Sequence, residues 1–125
     1  MSTILIVEDN EKNMKLVRDI LQHHGHRVLE ADSGELGVRL ALTERPDLIL
    51  MDIQLPDIPG TEALARIRAD ATLARVPVLA VSASVMPDDQ QRVVASGFDA
   101  FIAKPLSIKP FLAAVDAALR AGAGP

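Results

Sequence analysis

The 125-residue sequence predicts a single α/β domain, a doubly wound (βα)5 fold with a parallel five-stranded sheet. Two observations predict it, together with one general rule. Short apolar runs recur along the chain. Longer segments with apolar residues at helical spacing separate them. Strands that alternate with helices pair in parallel through right-handed crossovers, which place helices on both faces of the sheet. The domain is expected over residues 1–121, with 122–125 a short tail too small to form a second unit.

The first strand is read over Ile4 to Val7. Met14, Val17, Ile20 and Leu21 follow at helical spacing, and Gly25 stops that helix. Arg27 to Ala31 is the second strand; Asp32 or Ser33 caps the next helix, which runs to about Glu44 and is closed by Pro46. Leu48 to Met51 forms the third strand, apolar throughout as a strand buried on both faces should be. A loop with Pro56, Pro59 and Gly60 leads to a helix through Leu64 and Ile67. Val76 to Val81 is the fourth strand, Pro87 sits near the start of the fourth helix, and Gly97 ends it. Ala100 to Ala103 is a short fifth strand, and Ser107 caps a last helix carrying Phe111, Leu112, Val115 and Leu119.

Composition narrows the function. A net charge of -4 and 2% aromatic residues argue against nucleic acid as partner, since neither a basic footprint nor a stacking platform is present. Absence of cysteine excludes disulfides, thiol chemistry and cysteine-built zinc sites. No apolar run approaches the roughly 20 residues that span a bilayer, and Met1-Ser2-Thr3 leads directly into a strand without a secretory pattern. A soluble, cytoplasmic protein without membrane insertion is expected.

Open α/β sheets bind ligands outside the carboxyl ends of their strands. Glu8 and Asp9 follow strand one, Asp52 follows strand three, Ser82 follows strand four, and Lys104-Pro105 follows strand five. All lie on one edge of the sheet. The expectation is that Asp52 stands at the surface, where its strand emerges. Two carboxylates ~4 Å apart repel by roughly 4 kcal/mol at an effective dielectric of about 20, so three acids in one pocket need a proton or a cation. A hard divalent cation such as Mg²⁺ meets that need with carboxylates, waters and phosphate oxygens. Lys104 adds a positive charge and Ser82 a hydroxyl donor. Such a set stabilises charge on a transferring phosphoryl group, with Asp52 as nucleophile forming an aspartyl phosphate.

These residues, in this order along essentially the whole chain, resemble the receiver domain of two-component response regulators. Glu8-Asp9 matches the acidic pair, Asp52 the phosphoacceptor, Ser82-Ala83 the hydroxyl-plus-small pair, and Lys104-Pro105 the lysine and proline of the family pattern. The resemblance implies the flavodoxin-like strand order 2-1-3-4-5. It implies Mg²⁺ held by Asp9, Asp52 and the backbone carbonyl of Gln54, with Glu8 acting through water. It implies that Ser82 moves to the phosphoryl group, that Phe101 is the switch aromatic, and that the Lys104-Pro105 peptide is cis. Gln54 and Ser84 flank the pocket and are expected to influence dephosphorylation. The implied function is Mg²⁺-dependent phosphoacceptance from a sensor histidine kinase or histidine phosphotransfer protein. The signal then passes by protein–protein contact to a downstream protein target, with no DNA binding by this chain and no catalysis beyond its own phosphorylation and dephosphorylation. More narrowly, VEDNEKNMKLVRDIL and PDLILMDIQLP resemble single-domain receivers of bacterial cell-cycle control, and they also occur in receivers of hybrid histidine kinases.

Two other classes compete. A haloacid-dehalogenase-type phosphatase also carries an aspartate after a strand but wants a second one two residues on, where this chain has Gln54. A phosphorylation-independent interaction module would keep the fold without the switch, yet every pocket residue is present. The group His23, His24 and His26 is read as a feature of a helix C-terminus, where the helix dipole favours cationic imidazole, rather than as a metal or phosphohistidine site.

Overall fold

A computed structural model describes residues 2–83 and 87–123, with backbone alone for 87–90 and 123. Five strands and five helices alternate: β1 (Thr3–Val7), α1 (Glu11–His23), β2 (Arg27–Ala31), α2 (Gly34–Glu44), β3 (Leu48–Asp52), α3 (Gly60–Arg68), β4 (Val78–Ser82), α4 (Pro87–Ala95), β5 (Ala100–Ala103) and α5 (Ile108–Ala123). The sheet is parallel, in the order β2-β1-β3-β4-β5. The expected fold is therefore the observed one.

Each face of the sheet builds its own core. Ile4, Ile6, Leu48, Leu50, Leu79, Val81 and Ile102 meet Met14, Val17 and Leu21 of α1 and Phe111 and Val115 of α5. On the other face Leu5, Val7, Ile49, Met51, Val78 and Ala80 meet α2 through Val38 and Ala41, and α3 through Ala63, Leu64 and Ile67. The alternation follows from the two-residue period of a strand. Every residue of the central strand β3 is buried, as its unbroken apolar run foretold.

Local chemistry sets the boundaries. Asn10 caps α1 by accepting a hydrogen bond from the Asn13 N–H. Ser33, not Asp32, caps α2 through Leu36 N–H. Gly25 (φ +92°) and Gly97 (φ +115°) carry the left-handed turns after α1 and α4. Arg45 takes a left-handed conformation (φ 50°) just before Pro46, so α2 ends at Glu44, two residues ahead of the proline. Several boundaries differ from expectation. β4 begins at Val78 rather than Val76, because Pro77 precedes the ladder and contributes only its carbonyl, to Ile49 N–H. A 3-10 turn over Ala71–Leu73, capped by Asp70, fills the approach to β4. Helix α5 continues to Ala123, past residue 121.

Candidate functional site

Strand register brings the site together. Val7 pairs with Met51, Asp52 with Val81, and Ser82 with Ala103, so the carboxyl ends of β1, β3, β4 and β5 share one rim. Lys104 N–H donates to the Ser82 carbonyl at 2.9 Å, which carries the β4–β5 ladder one step beyond the strand and sets the lysine at that rim.

The Lys104 ammonium donates to Glu8 Oε1 at 2.8 Å and to Asp52 Oδ2 at 3.0 Å. Glu8 and Asp52 are only 5% and 6% exposed, and Ser82 1%. The expectation that Asp52 stands at the surface is thus corrected. It is the last residue of β3 and is buried there. Its burial is tolerated because Lys104 bridges it and Gln54 N–H donates to its Oδ1 at 2.8 Å. Glu8 also accepts from Asn10 N–H at 3.1 Å. Asp9 is exposed, and one carboxylate oxygen each from Glu8, Asp9 and Asp52 lies within 4.8 Å of the others. A cleft of about 520 Å³ opens beside Glu8 and Asp9, between α1 and the end of β2.

The electrostatics follow from this crowding. Burial pushes the Glu8 carboxyl above the usual carboxylate range, and the Asp52 charge adds to it. Hydrogen bonds from Lys104 and Asn10 offset only part of that rise. Burial pulls the Lys104 ammonium down, but Glu8 and Asp52 together outweigh it and hold the group above the usual lysine range. One ammonium for two buried carboxylates and a third acid leaves a surplus of negative charge, all of it on hard oxygen donors. That donor set fits Mg²⁺.

The remaining expected residues sit around this centre. Gln54 is exposed, two residues past Asp52. The Lys104-Pro105 peptide is cis. Phe101 pairs with Ala80 across β4–β5 while Ser82 pairs with Ala103, so Phe101 and Ser82 share a face of the sheet. Phe101 is half-buried against the core of that face. Ser84 lies outside the described residues.

One residue at the site has no counterpart in the sequence reading. Asp57, in the loop after β3, accepts from the N–H groups of Gly34 (2.8 Å) and Glu35 (2.9 Å) at the start of α2. It ties the loop that carries Gln54 to a neighbouring helix. Its pairing spans 23 residues, and no local pattern announces it.

Comparison with known proteins agrees with this geometry. A family model for the response regulator receiver domain matches residues 4–116. The polar-differentiation response regulator DivK of Brucella anthropi is 43% identical over 110 residues, which are 88% of this chain and 89% of that one. The receiver domain of a sensor histidine kinase from Pseudomonas aeruginosa, solved with magnesium coordinated in its active site cleft, is 32% identical. It superposes with a TM-score of 0.88 over 94% of this chain and 97% of that one. A CheY-like receiver domain protein from Methanospirillum hungatei is 27% identical, with a TM-score of 0.87 over 98% and 97% of the two chains.

Proposed function

The chain belongs to the response regulator receiver family, and on that premise we propose that Asp52 is the phosphoacceptor of a histidine-to-aspartate phosphorelay. The observation that carries the reading is the Lys104 ammonium held between Glu8 and Asp52, at 2.8 and 3.0 Å, with Asp9 beside them. An Asp52 oxygen attacks the phosphorus of a phosphohistidine on a sensor kinase or phosphotransfer protein. The P–N bond breaks, the imidazole leaves with its electron pair, and an aspartyl phosphate forms. Lys104 exchanges its contact with Asp52 for one with a phosphoryl oxygen, and the Ser82 hydroxyl donates to another.

Asp9, Asp52 and the Gln54 carbonyl would hold Mg²⁺, with Glu8 acting through water. The ion would neutralise charge on the carboxylates and on the incoming phosphoryl oxygens. Chemistry is confined to the chain's own phosphorylation and its hydrolysis.

The phosphoryl group adds roughly two negative charges at the rim. As Ser82 turns towards it, Phe101 on the same face of the sheet fills the vacated space. The surface of α4, β5 and α5 then changes for a downstream protein partner. The differential contact that drives this shift is the bond from Ser82 to the phosphoryl group. The likeness to DivK supports a role in bacterial cell-cycle or cell-division control. Within this reading the protein works in the cytoplasm without DNA contact; no described helix is long and apolar enough to cross a membrane.

The test is intact mass after incubation with Mg²⁺ and a small acyl phosphate. One phosphoryl adduct is expected on the wild type and none on Asp52→Asn. No adduct on the wild type, or an undiminished one on the variant, overturns the reading.

A further inference from the structure

We propose that His24, His26 and Asp116 form a second metal site, for a zinc-class divalent ion that clips the turn after α1 to α5. The two histidines flank Gly25, which takes a left-handed φ of +92° in the turn after α1. Their ring centroids lie 5.6 Å apart, and one donor atom from each of the three residues lies within 4.8 Å of the others. Asp116 arrives from α5, ninety residues further along.

Two features favour a metal over a plain ion pair. His24 Nε2 stands 3.6 Å from Asp116 Oδ2, beyond hydrogen-bond range. That spacing is close to the edge of a coordination tetrahedron, ~3.3 Å for bonds of about 2.0–2.1 Å. Both ring nitrogens of His26 are buried without a hydrogen-bond partner, and a metal would take up one of them.

Two imidazoles and one carboxylate select zinc-class ions over Mg²⁺, which prefers oxygen alone. Three protein donors leave a fourth position for water. The site is separate from the acidic pocket. It lies at the far end of α1, whose 13 residues put about 20 Å between the two.

The experiment uses the untagged full chain with excess Mg²⁺ to occupy the acidic pocket. Zn²⁺ is titrated by calorimetry and Co²⁺ by visible absorption. One equivalent of Zn²⁺ and the intense bands of four-coordinate Co²⁺ are expected. His24→Asn, His26→Asn and Asp116→Asn should each weaken binding about 10-fold or more, the lower end of what even second-shell changes cost at metal sites. The exposed His23→Asn should leave binding unchanged. His24 and Asp116 side chains are 42% and 40% exposed, so their variants report on binding without disturbing the core. No saturable uptake, uptake that survives His24→Asn and Asp116→Asn, loss with His23→Asn, or a weak six-coordinate cobalt spectrum would each overturn the proposal.

Discussion

Replacing Lys104 with methionine removes the ammonium and keeps most of the stem. The ammonium is 2.8 Å from Glu8 and 3.0 Å from Asp52, so each attraction is about 6 kcal/mol at an effective dielectric of about 20. The carboxylates lie within 4.8 Å of one another, a repulsion of roughly 3.5 kcal/mol on the same scale. Much of the attraction only offsets the cost of taking three charges out of water. Breaking a buried pair costs roughly 3–5 kcal/mol, and the lower end applies because Glu8 can take up a proton. The expected loss at pH 7, with divalent ions chelated, is about 3 kcal/mol, or about 12 °C in Tm for a chain of this length.

The pH dependence has a definite sign. The Glu8 pKa is already raised by burial, and loss of Lys104 removes the largest influence opposing that rise. The folded variant therefore binds a proton that the unfolded chain releases, and its stability falls as pH rises through the folded value. Urea unfolding at pH 5 and pH 7 should show a smaller deficit at pH 5, and Mg²⁺ should restore part of the deficit at pH 7. A Lys104→Met protein as stable as wild type at pH 7, or one whose deficit grows at pH 5, would refute this account of the pocket.

Asp9→Asn removes one charged donor from the three-acid set and should weaken Mg²⁺ binding about 10-fold or more by calorimetry; unchanged affinity would remove Asp9 from the metal site. A Cβ on Gly60 would meet the Ile53 backbone Cα at 2.7 Å, which a rigid chain cannot relieve. Gly60→Ala should therefore cost about 2 kcal/mol in urea unfolding and also slow phosphorylation, since Ile53 adjoins Asp52. Asp57 is held below the usual carboxylate range by the Glu35 and Gly34 N–H groups. Its contribution is present above the unfolded pKa and lost as pH falls through the folded value. Asp57→Ala should lower the urea midpoint at pH 7 and flatten its acid dependence, whereas a midpoint unchanged at pH 7 would show that the tie to α2 is idle.

Much of the fold is written in local pattern. β2 and β5 run over the residues expected of them because polar or small neighbours bound short apolar runs. Glu8, Asp9, Asp52 and Lys104 could be assembled from sequence because a parallel sheet puts every strand's carboxyl end on one edge. The depth of Asp52 could not be read, since it depends on Lys104 and the Gln54 N–H closing around it. Asp57 bonding to the start of α2, and Asp116 meeting His24 and His26, join segments that become neighbours only after the helices pack. A histidine cluster read from sequence as a helix end is seen as a donor set only once α5 lies against it.

The most direct measurement is to reduce the phosphorylated protein with borohydride, which trims an acyl phosphate to an alcohol, and to map the altered residue by peptide mass. The account predicts that residue to be Asp52 alone, and only when Mg²⁺ is present. Modification at Glu8 or Asp9, or equal modification without Mg²⁺, would contradict it.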